Sequence, residues 1–269
     1  METDRFRESD TQEFLRQAAG EEWISDEGEI AFLRKSFPQG CLVKRVQGFP
    51  VAFITAVRYD RSGWIGNLLV HPDLRRRGIG EKLMAQALET LEQAGVETVW
   101  LTASSSGKSL YERLGFQEID SIRRWRGGGS ENFTASSGVS DTDELVMLDA
   151  AGWGDRREAL VSFCAEGGTV CSAPGAFLMV RPTGSMSQIG SWGGVSSRAM
   201  VELFEQSVQM SPSSALFCLD VPAGNKVVTH YLKQRGFTAI GSNVLMFHGK
   251  PPIYRPNLIG SLASMGSMG

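Results

Sequence analysis

The stretch Val70-His71-Pro72-Asp73-Leu74-Arg75-Arg76-Arg77-Gly78-Ile79-Gly80 decides how this chain is read. It joins a strand-like run, 64–70, to a helix-like run in which Leu83, Met84, Ala87, Leu88 and Leu91 fall on one face. A glycine-rich turn opening a helix presents bare backbone N–H groups at the positive end of the helix dipole. Three arginines precede it. The combination suits a phosphate or pyrophosphate. The turn lacks the Gly-Lys-Ser/Thr of a nucleotide P-loop.

Around the turn, the first half alternates short elements. Segments 13–19 and 29–36 read as helices. Segments 41–45, 51–59, 64–70, 98–102 and 116–125 read as strands. A helix ends at Gly95, and a short one, 109–114, stops at Gly115. The Gly/Ser-rich stretch 127–140 has the composition of a linker, with a long surface loop as the alternative. The expected division is a first domain at 1–126, a linker at 127–140 and a second domain at 141–269. In the second half, 176–180, 187–192 and 215–221 read as strands. Met200, Leu203, Phe204 and Val208 form a helical stripe, and a helix at 226–235 closes at Gly236.

The halves repeat. Ile65-Gly66-Asn67 matches Ile189-Gly190-Ser191, and Tyr111-Glu112-Arg113-Leu114-Gly115-Phe116 matches Leu232-Lys233-Gln234-Arg235-Gly236-Phe237. Similar separations within one order of elements favour duplication over coincidence.

Bulk properties set limits. At 269 residues there is room for two small domains. A formal charge of −3 gives no global basic field for nucleic acid. No apolar run approaches the roughly 18–20 residues of a membrane span. The acidic, polar start Met1-Glu2-Thr3-Asp4-Arg5 is unlike a signal peptide. Cys41, Cys164, Cys171 and Cys218 show no metal-ligand spacing and read as buried reduced thiols, with a Cys164–Cys171 disulfide as the alternative. A soluble, cytoplasmic, metal-free protein with no nucleic-acid or membrane partner is expected.

Arg75-Arg76-Arg77-Gly78-Ile79-Gly80 fits the pattern R/Q-x-x-G-x-G/A. With the strand Asn67-Leu68-Leu69-Val70 and His71-Pro72 before it and Ser109-Leu110-Tyr111-Glu112-Arg113-Leu114-Gly115-Phe116 after it, the first half resembles the GNAT superfamily, the acetyl-CoA-dependent N-acyltransferases. The second half resembles the degenerate GNAT-like domain of two-domain members, through Gly154-Asp155-Arg156, Ile189-Gly190-Ser191, Leu219-Asp220-Val221-Pro222, Arg255-Pro256-Asn257 and Gly260. The implied fold class is α/β (α+β), as tandem GNAT folds. Each has a mixed, mostly antiparallel sheet flanked by helices, with a V-shaped splay between two parallel strands.

The resemblance implies acetyl-CoA as co-substrate. The backbone N–H groups of Arg76, Arg77, Gly78, Ile79, Gly80 and Glu81 would wrap its pyrophosphate, with charge from Arg75 and Arg76. Glycines at 78 and 80 would permit close approach. Leu68, Leu69 and Val70 would pair with the pantetheine, and a strand N–H would polarise the thioester carbonyl. Ser104 and Ser109 stand where relatives make polar contacts to the cofactor, although Ser104 replaces a usual asparagine. Tyr111 matches the tyrosine that protonates the leaving thiolate. An ordinary phenol, with a pKa of about 10, carries that proton at neutral pH. A core tyrosine beside Phe116 is the alternative.

The general base is missing from its usual strand, because 64–70 contains no carboxylate. Asn67 can orient a water but cannot act as a base. Asp26, Glu27 and Glu29, in the segment expected to roof the acceptor site, are candidates. His71 in His-Pro reads as structural. Trp23, Trp64 and Trp125 either line an acceptor pocket or belong to the core.

The second half has eight residues between Ser191 and Met200, about half the length of the corresponding stretch in the first, and no arginine-glycine loop. Leu232 stands where Tyr111 does and cannot donate a proton. A catalytically silent second domain is expected, serving as scaffold or pocket wall, within the chain or across a homodimer. The leading reading is an N-acetyltransferase in which a small-molecule or peptide amine attacks acetyl-CoA directly in a ternary complex. No cysteine lies near the site to support a covalent route. The alternative is a non-catalytic acyl-CoA sensor.

Overall fold

A computed structural model describes residues 2–129, 141–211 and 214–269. The first half runs β1 (Glu2–Arg5), α1 (Thr11–Gly20), α2 (Glu27–Ser36), β2 (Leu42–Val46), β3 (Phe49–Arg58), β4 (Ser62–Val70), α3 (Ile79–Gln93), β5 (Thr98–Ala103), α4 (Lys108–Arg113) and β6 (Gln117–Gly128). The second runs α5 (Thr142–Trp153), α6 (Glu158–Glu166), β7 (Thr169–Ala173), β8 (Ala176–Thr183), β9 (Met186–Gly194), α7 (Ser197–Gln209), β10 (Leu216–Pro222), α8 (Lys226–Gln234), β11 (Thr238–Gly249) and β12 (Ile259–Ser261). No described helix is long and apolar enough to cross a membrane. All four cysteines are free and buried, which settles the thiol question against a Cys164–Cys171 bridge.

The strands form one mixed sheet in the order β1-β2-β3-β4-β5-β11-β6-β10-β9-β8-β7, with β12 on β9. Among the described residues, only β4–β5 and β9–β10 are parallel. The two halves exchange their last strands. β11 of the second half lies between β5 and β6, and β6 of the first half pairs with β10. The expected linker boundary is therefore corrected. Gly127 and Gly128 are the end of β6, paired with Phe217 and Leu216, while 130–140 lies outside the described residues. Local composition misplaced this boundary because two glycines can still extend a strand when a neighbour supplies the ladder. A side chain at Gly127 would meet the Phe237 ring at 2.5 Å, so packing also requires glycine there.

In each half, the parallel pair opens into a V. β4 and β5 pair at Ser62–Thr98, Gly63–Val99 and Trp64–Trp100, and not beyond, although both strands continue. The cause lies on the other edge of β4. Its register with β3 shifts between Phe53 and Thr55, so β4 carries an extra residue around Asn67, whose φ is +54°. In the second half, β8 and β9 shift at the matching place, between Leu178 and Val180 opposite Gly190-Ser191. The short sequence repeat Ile-Gly-Asn/Ser thus marks the bulge of each half.

One face of the sheet carries a core common to both halves. Trp64 and Trp100 meet Trp153 of α5 at ring separations of 5.9 and 5.5 Å. Asp155, beyond α5, accepts from the backbone N–H of Ser62 at 2.8 Å and from its hydroxyl at 2.7 Å, fixing the start of β4. The other face carries two separate cores. The Ile79, Leu83, Met84, Ala87, Leu88 and Leu91 stripe of α3 covers one, and the Met200, Leu203, Phe204 and Val208 stripe of α7 covers the other.

Candidate active site

The first V opens into a cavity of about 900 Å³ that extends past the start of α3. Its floor is β4 from Ile65 to Val70. One wall is Arg75, Arg76 and Gly78–Glu81, and the opposite wall is Ser104, Ser109 and Tyr111. Gly78 is the residue before the helix, with φ +73°, and no side chain caps α3. The first N–H groups of the helix therefore lack both an intrahelical acceptor and a cap, and they face the cavity wall. A Cβ at Gly80 would touch Leu68 and Val70 only at 3.7 Å, an ordinary contact. The protein itself does not demand glycine at 80, whereas it does at 78. This arrangement fits an anion carried over the α3 N-terminus.

The arginines divide. Arg75 donates from Nε to Val70 O at 2.9 Å and pairs with Glu21, which ties the turn to the end of β4. Arg76, with φ +61°, lines the cavity. Arg77, expected to offer only its backbone N–H, sends its guanidinium to Asp73 O at 3.1 Å, and the residue does not line the cavity. His71 only begins the turn, 3.8 Å from Asp73, in keeping with a structural reading.

Tyr111 lies beside the cavity, and its ring packs on Phe116 at 6.0 Å. The tyrosine thus lines the cavity and packs against Phe116 at once. A Cβ at Gly107 would meet the Tyr111 ring at 3.1 Å, so glycine there makes room for the phenol. Burial pushes the Tyr111 hydroxyl up to about 12, which keeps its proton on at neutral pH. Ser104 accepts from Gly107 N–H at 3.3 Å and lies 3.0 Å from the Ser106 hydroxyl, ordering the turn into α4.

Asn67 lines the cavity, and its amide nitrogen donates to Thr55 Oγ1 at 3.1 Å across the bulge, which fixes the side chain there. Trp64 and Trp125 follow the core reading. Both are fully buried in cores, and Trp64 donates from Nε1 to Gly266 O at 3.1 Å. Trp23 is 39% exposed and does line the cavity.

Of the three candidate carboxylates, only Glu29 points into the cavity. Asp26 caps α2 by accepting from Glu29 N–H at 2.8 Å, and Glu27 is exposed. Asp26 and Glu29 have the spacing of a reciprocal cap. The Glu29 carboxylate nevertheless turns away from the helix and accepts from the Ser267 hydroxyl. Burial raises its pKa, the Ser267 bond lowers it, Asp26 raises it and Arg181 lowers it; it ends at about 7.

Sequence reasoning missed the 262–269 segment. It leaves β12, crosses the bulge of the second half, where a Cβ at Gly190 would strike Leu262, and reaches the bulge of the first, where a Cβ at Gly66 would lie 2.6 Å from Ser267. Met265, Gly266 and Ser267 line the cavity, and Arg124, paired with Asp220, donates to Met265 O at 3.0 Å. The run at 260–269, made of Gly, Ser, Ala and Met apart from Leu262, was the available signal, since such a segment can pack against glycines. In the second V, β12 pairs with β9, and Leu262 N–H donates to Asp220 O of β10 at 2.8 Å. The chain fills that opening itself. Tyr231, next to the Leu232 that matches Tyr111, hydrogen-bonds Glu205. No cluster suited to a metal occurs among the described residues.

Residues 3–116 match the acetyltransferase (GNAT) family. Among curated proteins, the chain is 44% identical over 74 residues to the [ribosomal protein bS18]-alanine N-acetyltransferase of Salmonella typhimurium, covering 26% of this chain and 49% of that protein. It is 31% identical over 108 residues to an uncharacterized N-acetyltransferase of Methanocaldococcus jannaschii, covering 35% and 46%. The chain thus spans about half the length of the curated relatives it matches. Among solved structures, a candidate acetyltransferase from Pyrococcus horikoshii superposes with a TM-score of 0.85 at 19% identity, covering 98% of this chain and 94% of that one. A GCN5-related N-acetyltransferase from Sphaerobacter thermophilus superposes at 0.63 with 16% identity, covering 95% and 98%. The fold of both halves is therefore shared with solved proteins, and it is the first half, at residues 3–116, that carries the match to the GNAT acetyltransferase family.

Proposed function

We propose that the protein is an N-acetyltransferase that moves an acetyl group from acetyl-CoA directly to an amine, at one site per chain. The observation that carries this reading is the meeting of three features in one cavity: an uncapped α3 N-terminus, an open strand edge at 66–70, and a protonated Tyr111. The N–H groups of Ile79, Gly80 and Glu81 bind the pyrophosphate, with Arg76 beside them. The free edge of β4 pairs with the pantetheine, as an added strand would. That places the thioester at the narrow end of the V, near the acceptor wall. Tyr111 gives its proton to the departing sulfur.

The second V supports a single site, because β12 and Leu262 occupy the edge that pantetheine would need. The acceptor is an amine small enough, or extended enough, to enter between Trp23 and the 265–267 segment. The N-terminal alanine of a peptide is one such acceptor, suggested by what the Salmonella typhimurium relative is named for.

Release of CoA from acetyl-CoA is to be measured with alanine-initiated peptides, free amino acids and polyamines. The reading expects turnover of at least one class and a loss of about 10²-fold or more in kcat for Tyr111→Phe. Binding of acetyl-CoA without turnover of any class favours the sensor alternative.

A further inference from the structure

We propose that Glu29 is the group that takes the proton from the incoming ammonium, and that Ser267 of the second half holds it for that task. The inference rests on the N-acetyltransferase reading and assigns the acceptor side of the same site. The strand that faces the thioester, 64–70, has no carboxylate. Glu29 is the buried carboxylate lining the cavity; it approaches from α2 and shares that cavity with Tyr111. Ser267 links Glu29 to the bulge of β4. Its backbone packs on Gly66 of β4, and its hydroxyl donates to Glu29 Oε1. The Ser267 backbone N–H donates to Ser264 Oγ at 3.1 Å, as does that of Met268 at 2.9 Å, so the turn presenting the hydroxyl is itself fixed.

The groups facing Glu29 come from several elements. Asp26 lies on its own helix, Arg181 on β8, and Tyr59 just after β3. Asp26 opposes ionisation of Glu29 and Arg181 favours it. The outcome is a carboxylate that exchanges its proton near neutrality, the range that suits a base.

The step balances as follows. Glu29 takes one proton from the ammonium and passes it to solvent. The freed nitrogen lone pair forms the C–N bond as the C–S bond breaks. Sulfur takes a proton from Tyr111, and the second proton lost by nitrogen restores the phenol. The second half thus serves the reaction without a site of its own. Ser267 is a positioning residue and Glu29 a catalytic one.

The test measures kcat/KM against pH for wild type, Glu29→Gln and Ser267→Ala with the best amine of the panel, alongside acetyl-CoA affinity and circular dichroism. Wild type is expected to lose activity as pH falls through about 7. Glu29→Gln should bind acetyl-CoA normally, fall by about 10²–10⁴-fold and lose that acid limb. Ser267→Ala removes a bond that favours the ionised form, so its acid limb should move to higher pH with activity recovering in alkali. A wild-type acid limb retained in Glu29→Gln overturns the assignment while leaving the acetyltransferase reading intact. An equal loss at every pH in Ser267→Ala overturns the positioning role. Should Glu29→Gln fail to fold, the direction of the Ser267→Ala shift decides alone. A wild type that binds acetyl-CoA and acetylates no amine overturns both readings.

Discussion

The hydroxyl of Ser267 donates to the carboxylate of Glu29 across 238 positions of sequence, joining the last segment of the second half to the second helix of the first. Neither residue has a site without the other. Glu29 would be a buried carboxylate with no donor, and the 262–269 segment would lose its polar anchor beside the cavity. The contact explains how a half without an arginine-glycine loop still bears on the site.

The first prediction concerns stability against pH. Glu29 is raised from 4.5 to about 7 by burial, so folding binds a proton between those values. The contribution of a raised carboxyl is fully present below its unfolded pKa and is lost as pH rises through its folded pKa. Thermal unfolding should show wild type losing stability relative to Glu29→Gln between pH 4.5 and about 7. The total is about 3 kcal/mol by the linkage of pKa to free energy. A difference between the two proteins that stays flat across this range contradicts the burial argument.

Gly66→Ala should displace the 262–269 segment. The new Cβ would lie 2.6 Å from the Ser267 backbone, and neither backbone has room to yield cheaply. Overpacking of this kind costs about 1–3 kcal/mol. Hydrogen exchange should quicken at Gly266, Ser267 and Met268 while the α3 turn stays protected. Unchanged exchange in the segment contradicts the packing described.

Separating the halves should leave neither folded alone. Residues 1–126 retain β5 without β11 and β6 without β10, which exposes two long edges. The Trp64–Trp100 pair also loses Trp153. Expressed alone, 1–126 is expected to aggregate, whereas co-expression with 141–269 should recover a soluble pair. A monomeric, cooperatively unfolding 1–126 contradicts the strand exchange.

What could be read from sequence follows from what is local. The helix α3 was legible because its buried stripe repeats every three to four residues, and its start because Gly78 must take a left-handed φ of +73°. Tyr111 was legible from the motif around it. The exchange of β6 and β11 was not, because both copies have the same order of elements, and the choice of neighbour is made only by packing such as Gly127 against Phe237. The bond from Asn67 to Thr55 was not legible, because Thr55 lies on another strand. Glu29 stood among three carboxylates that spacing could not rank; only burial separates it from Asp26 and Glu27. Ser267 carried no local signal of function at all.

The central claim is that the α3 turn and the β4 edge form one acyl-CoA site per chain. Calorimetric titration of acetyl-CoA tests it most directly. Wild type should bind one equivalent, and Gly80→Glu, which places a side chain and a negative charge over the α3 N-terminus, should abolish binding while leaving the unfolding midpoint close to wild type, since a Cβ at 80 meets its neighbours only at 3.7 Å. Two equivalents per chain, no binding by wild type, or unchanged affinity in Gly80→Glu would contradict the account.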